Sequence, residues 1–249
     1  MAYKPPKEQG SAVTRLKGYS TIRNGIWPVF SIIVILWVFH TAAYGDDLLE
    51  ATKKALTTED WQTRLAAVER LVRRNDQETV SFLIRLAENR NEDWRVQRKA
   101  IQLLGEAGDP RAIDLLTFVL HSNTSDWKCP ALQSAAATAL GSFPGNNHVQ
   151  EVLIEGTRNR ELIIREASIT SLGKIRAPEA IPHLLPFLRD KNIAIRHSTI
   201  SALVQIGDPA AVSSLREVAG HDNDAAVREA AKRAVKSFDH TNSNQEVLP

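Results

Sequence analysis

Residues 195–215, Ile195-Arg-His-Ser-Thr-Ile-Ser-Ala-Leu-Val-Gln-Ile-Gly-Asp-Pro-Ala-Ala-Val-Ser-Ser-Leu215, decide the fold. Ile200, Leu203 and Ile206 recur at helical spacing with small residues between them. Gly207 then ends that helix, and Pro209 opens a second one. The unit is therefore a helical hairpin, and it repeats. Gly108-Asp-Pro110, Pro144-Gly145 and Ala177-Pro178 are turns of the same kind, and Ala167, Ile169, Leu172 and Ile175 stripe another first helix. Aligning the pairs Thr63-Arg64, Val96-Gln97, Cys129-Pro130, Ile164-Arg165, Ile195-Arg196 and Val227-Arg228 gives steps of 33, 33, 35, 31 and 32 residues. Two short helices cannot bury their apolar faces alone, so hairpins at such a period are stable only when stacked into an array.

Composition agrees with an all-α class. The chain is 43% apolar with only 6% aromatic residues, which favours helices packed through Ala, Leu, Ile and Val. Residues 46–59 read as an N-terminal cap helix, 60–238 as five to six repeats whose last segment, 225–238, caps the far end, and 239–249 as a polar, disordered tail.

The stretch Gly108-Asp-Pro-Arg-Ala-Ile-Asp-Leu-Leu116, and the segment from Ile164 to Leu215, resemble HEAT repeats of the PBS-lyase HEAT-like type, over about residues 60–238. The resemblance implies an α-solenoid wound as a right-handed superhelix, with the second helices lining its concave side. It also implies an inter-repeat ladder in which a turn Asp pairs with an Arg six residues on. Asp190 with Arg196 and Asp222 with Arg228 match it, and Asn159 with Arg165 matches more loosely. The first three repeats depart, carrying Asp60-Trp61, Asp93-Trp94 and Asp126-Trp127 at two steps of 33. Each Asp is expected to cap a helix, and each Trp to cover the junction with the preceding repeat.

The start of the chain has a different character. Residues 1–25 carry five basic residues, Lys4, Lys7, Arg15, Lys17 and Arg23, and one acid, Glu8, before an apolar run from Ile26 to Phe39. Ala43-Tyr44-Gly45 then precedes Asp46, so the segment reads as a signal peptide cleaved between Gly45 and Asp46. The competing reading is an uncleaved anchor over 26–44. Both place the repeats outside the cytoplasm, periplasmic or secreted in a bacterium, and tethered to the inner membrane in the second case. Without residues 1–45 the chain holds 26 basic and 28 acidic residues, a net charge of −2, so nothing in its bulk charge favours nucleic acid. The one cysteine, Cys129, is expected to be a buried small residue equivalent to Val96, Ile164, Ile195 and Val227.

No motif points to catalysis. The seven histidines form no His-Glu-x-x-His pair and no zinc spacing with Cys129, and there is no glycine-rich phosphate loop and no Gly-x-Ser-x-Gly elbow. The resemblance brings two enzyme activities into view. Deoxyhypusine hydroxylases hold iron with His-Glu pairs, and this chain has no such dipeptide. Bilin lyases act on pigment proteins in the cytosol, whereas this chain reads as exported. A non-enzymatic scaffold without cofactor or metal is the expectation.

What remains is surface. With Gln77, Pro110, Pro178 and Pro209 as position zero of the second helices, and Asn146 placed by analogy, offsets 2, 3, 6, 9 and 10 are almost all apolar and offsets 1, 4, 5 and 8 lie opposite. Phe82, Leu115, Phe118 and Ile154 then form an exposed apolar strip edged by Arg85, Arg111, Asp114 and Glu151, suited to a protein or an extended peptide. The alternatives are a lyase-like or accessory protein acting on a tetrapyrrole-bearing partner, and a membrane-tethered structural adaptor.

Overall fold

The computed structural model describes residues 47–72, 74–122 and 129–245, with 240–245 through their backbone alone. The basic arm, the apolar run, Gly45-Asp46 and Asp126-Trp127 lie outside the described residues. Among those described, no helix is long and apolar enough to cross a membrane.

The protein is an all-α solenoid. A cap helix α1 (47–55) is followed by five hairpins: α2 (Trp61–Glu69) with α3 (Gln77–Glu88), α4 (Trp94–Ala107) with α5 (Ile113–His121), α6 (Pro130–Leu140) with α7 (Asn147–Gly156), α8 (Leu162–Lys174) with α9 (Ile181–Leu184), and α10 (Ile193–Ile206) with α11 (Val212–His221). A last helix, α12 (Ala225–Gln245), closes the stack. It runs through much of the polar segment expected to be disordered, so the helix does not stop where its apolar periodicity stops. Pro186 turns the end of the fourth second helix into a 3-10 segment, Leu185–Arg189.

Local chemistry sets these boundaries. Asp60 accepts hydrogen bonds from the Gln62 and Thr63 amides, Asp93 from Arg95, Asp109 from Arg111 and Asn146 from Val149, each an N-cap. Gly207 closes α10 at φ 79°, a left-handed value that glycine adopts without penalty. Arg95 lies between two rings, 4.5 Å from the Trp61 centroid and 4.7 Å from that of Trp94, and so clamps the first two repeats together.

The first helices form one close-packed row, with α4 on α6, α6 on α8 and α8 on α10. Small residues permit the approach: a Cβ added at Gly105 would sit 2.7 Å from the Ala139 Cα, and one at Gly173 would sit 2.6 Å from the Ala202 Cα. Val96, Leu132, Ile164, Ile195 and Val227 form a buried column along this row. Leu132, and not Cys129, therefore holds the third position. Cys129 is half-buried and is the N-cap of α6, because Pro130 suits the first helical position and starts the helix there. The repeat register follows three residues later, after a longer connection.

With that register in place, one donor column seals every junction. Arg64, Gln97, Gln133, Arg165, Arg196 and Arg228 each reach main-chain carbonyls at the end of the preceding second helix, or of α1. Gln133 donates to Ser122 at 2.8 Å and to Leu120 at 3.2 Å. Arg196 donates to the Asp190 carbonyl at 2.8 Å, while its Nε lies 2.9 Å from the Asp222 carboxylate of the next repeat. The expected ladder is thus split: the Arg takes the main chain of the Asp six residues before it, and its ionic partner lies one repeat onward. Arg64 does the same with the Thr58 carbonyl at 2.8 Å and Glu92 at 2.8 Å, so the first repeat follows the pattern it was expected to break. Helices leave their last carbonyls unpaired, and each buried carbonyl left open costs about 1–3 kcal/mol.

Candidate partner-binding face

The second helices α3, α5, α7 and α11, with α9 and its 3-10 extension, form the other row. The register from Gln77, Pro110, Pro178 and Pro209 matches the observed burial, with Val80, Leu83, Ile113, Leu116, Ile181, Leu184 and Leu215 turned into the core. It is wrong by one residue in α7. Asn146 is the N-cap, as Asp109 is before Pro110, so position zero is Asn147. Val149, Val152, Leu153 and Gly156 are accordingly the buried side of α7. Glu151 then matches Asp114, Glu155 matches Phe118, and Ile154 is a half-buried flank.

Offset 5 needs a larger correction. Phe82 is 8% exposed and Leu115 7% exposed, so both belong to the core and not to an open strip. Val152, now at the same offset, is buried as well. Offset 5 lies on the flank that meets the neighbouring helix, and the first three repeats bury it. His183 and Ser214 take the position later and are exposed and half-buried. Phe118, by contrast, is 51% exposed, the largest exposed apolar side chain of the row. Arg85, Arg111, Asp114 and Glu151 are exposed as expected.

Arg111 is committed to a local partner. Its Nη2 and Nε lie 2.7 and 2.9 Å from the two Asp109 carboxylate oxygens, and this pairing holds the Asp109 carboxyl below the usual carboxylate range. Its Nη1 also donates to the Ser81 hydroxyl at 3.4 Å, linking α5 to α3. Asp114, Glu151 and Glu179 have no Lys or Arg within ion-pair distance among the described residues.

Three open cavities follow one another along this row. The first, about 410 Å³, is lined by Glu88, Arg90, Asp114, Leu115 and Phe118. The second, about 650 Å³, is lined by Leu120, His121, Glu151, Ile154, Glu155 and His183, among others. The third, about 400 Å³, includes Asp190, Arg196, Glu217 and Asp222. Asp114, Leu115 and Phe118 are therefore brought together, and Glu151 and Ile154 meet in the next groove. Phe82 and Arg85 line neither. His183 is exposed on this face, as its offset requires, whereas Glu155 and His121 were not singled out from the sequence, although reading Asn146 as a cap would have moved Glu155 into the exposed column. His121 Nε2 lies 3.5 Å from Glu155 Oε2 and joins α5 to α7 across the second groove. Among the described residues, no group of three His, Cys, Asp or Glu side chains could hold a metal ion.

A family model of HEAT repeats matches residues 49–128 and 150–236, most of the chain. The chain belongs to the HEAT-repeat family. Solved structures agree on the fold. The CpcE and CpcF complex of the phycocyanin lyase from Nostoc sp. PCC7120 superposes with a TM-score of 0.54 at 23% identity, covering 76% of this chain and 76% of that one. An engineered protein gives 0.51 at 19% identity over 78% of this chain and 97% of its own. A designed armadillo repeat protein in complex with the peptide (KR)4 gives 0.50 at 15% identity over 76% and 98%. No curated protein matches the chain. The HEAT assignment fits the geometry above: hairpins sealed to one another through the first row, and grooves along the second, with a further cavity of about 530 Å³ on the first row between α4, α6 and α8.

Proposed function

We propose that this HEAT protein is an exported scaffold that holds a protein or extended peptide along the concave row of its second helices. The observation that carries the reading is the succession of open grooves along that row, lined by Asp114, Leu115 and Phe118 and then by Glu151, Ile154 and Glu155. A groove-lined face with an apolar anchor and a polar surround is what partner surfaces share. The peptide complex of the designed armadillo relative and the two-protein complex of the lyase relative are consistent with such use of a helical-repeat stack.

Export rests on the basic arm, the apolar run and the small residues before Asp46. Expressing the full chain in a bacterium, separating periplasm from membranes and weighing the product tests it. A product starting at Asp46 makes the scaffold free, an uncut membrane-bound chain makes it a tethered adaptor, and an uncut chain in the cytosol contradicts export.

A further inference from the structure

Three neighbouring helices of the first row, α4, α6 and α8, carry four charges that the described chain leaves without an ionic partner. The residue after each junction donor, Gln97, Gln133 or Arg165, is Arg98, Ser134 or Glu166, and the ninth is Glu106, Ser142 or Lys174. α4 is thus positive near its start and negative near its end, α8 has the reverse order, and α6 between them has no charged residue. Each of the four charges meets only a neutral group. Arg98 lies 5.8 Å from the Trp94 centroid, Glu106 accepts from Gln102 at 3.0 Å, Glu166 accepts from Ser198 at 3.0 Å, and Lys174 donates to Ser142 at 3.1 Å. The other cations of these helices, Arg95, Lys99 and Arg165, are held by Asp93, Glu69 and main-chain carbonyls. The short side chains of α6 leave the cavity of about 530 Å³, floored by Ala131, Ala135 and Ala139. Ile163, 46% exposed, stands on its α8 side, and Trp94, 38% exposed, lies beside Arg98 on its α4 side.

We infer that a second copy of this chain covers this face, about a two-fold axis that runs along α6. Such an axis lays α4 of each copy on α8 of the other in the same direction. Arg98 then meets Glu166, Glu106 meets Lys174, Gln102 meets Thr170, and Ile163 meets Trp94, each contact being made twice. An alternating square of charge is its own complement, whereas a uniformly basic or acidic partner would satisfy two corners and oppose the other two. The hydroxyls of Ser134, Thr138 and Ser142 face their own copies across the axis, where an interface holds water. A helix of 14 residues such as α4 is about 20 Å long. Three helices about 8–10 Å apart then give a footprint of about 600 Å² per copy, and the total of about 1,200 Å² reaches the lower end of stable interfaces. The inference goes beyond the proposed function and does not depend on it: the second-row grooves stay open, and α10, with Val204, lies outside the contact.

The test is the mass of the purified full chain by light scattering, over about 1–100 µM, a range that spans the micromolar affinity expected of so small a contact. Two variants are compared with the parent, an acidic one carrying Arg98→Glu and Lys174→Glu and a basic one carrying Glu106→Lys and Glu166→Lys. The parent is expected to double its mass as concentration rises, each variant to stay monomeric, and their equimolar mixture to regain the doubled mass. Circular dichroism of both variants should match the parent. Thr138→Lys, an exposed position beside the axis, gives an independent check: it sets like charges against each other and should weaken the dimer at least about tenfold. A parent that stays monomeric, a charge variant that doubles as the parent does, a mixture of folded variants that stays monomeric, or an unaffected Thr138→Lys chain overturns the inference and leaves the scaffold reading standing.

Discussion

The two helix rows of this stack are built from similar sequence material and have different uses. In the first row, Gly105 lies too close to Ala139, and Gly173 to Ala202, for a Cβ, and a donor column from Arg64 to Arg228 ties each repeat to the one before, although an open cavity of about 530 Å³ lined by Gln102, Ala135, Thr138 and Ile163, among others, lies on this row as well. In the second row successive helices stand apart, and the openings between them are lined by Asp114, Phe118, Glu151 and Glu155. Contact between successive repeats is closest in the first row, while the second row buries one side of each helix, Leu115 and Leu116 among them, and leaves offsets 1, 4 and 8 at the surface. The contrast turns on burial, and substitutions can break it.

The largest loss should come from Asp222→Ala, which leaves the Arg196 guanidinium, almost fully enclosed, without its carboxylate. Removing one member of a buried pair costs about 3–5 kcal/mol, to be read as a lower urea midpoint; an unchanged midpoint would mean that the seam is not where the stack is held. Leu115→Ala should cost about 2–5 kcal/mol as a core truncation, whereas Asp114→Asn, beside it on the exposed side of the same helix, should stay within about 0.5 kcal/mol. That pair sharpens the contrast within one helix, and equal losses would erase it. Gln133→Ala should cost about 1–3 kcal/mol by leaving the Leu120 and Ser122 carbonyls open. Gly173→Leu should destabilise by about 1–3 kcal/mol through overpacking against Ala202, while Ser213→Leu on the exposed second row should be tolerated.

The smallest effect concerns pH. The Thr63 hydroxyl and amide lower the Asp60 carboxyl, and Arg111 lowers that of Asp109. A depressed folded value contributes stability that is present above the ordinary carboxylate range and lost as the pH falls through the folded value. The unfolding midpoint of Asp60→Asn should therefore fall less steeply than that of the parent chain on acidification below the usual carboxylate pKa. Parallel curves would show that this cap adds nothing.

The fold was legible because its signals are local. Helical periodicity, Gly and Pro at turns and Asp before first helices each act within a few residues, and they place the hairpins without knowledge of neighbours. The third repeat was misaligned because Cys129-Pro130 imitates an apolar residue at the repeat spacing, while the residue that shares the work of Gln97 and Arg165 is Gln133. Glutamine and arginine look unlike in sequence and become equivalent only when each is seen to reach a carbonyl across a junction. The face was legible in part. Exposure at offsets 1, 4 and 8 follows from helix geometry alone, but whether offset 5 is open depends on the neighbouring helix, and this hid the burial of Phe82 and Leu115. The proposal of export rests on the sequence of residues 1–45 alone.

The most direct measurement places a photo-crosslinking amino acid at position 151 on the second row or at position 204 on the first row, where Glu151 and Val204 are both exposed, and captures partners from the full chain in living cells. The account expects one protein adduct of defined mass from position 151 and none from position 204. Adducts from 204 alone, or equal and heterogeneous labelling from both, would contradict the claim that one row builds the stack and the other binds.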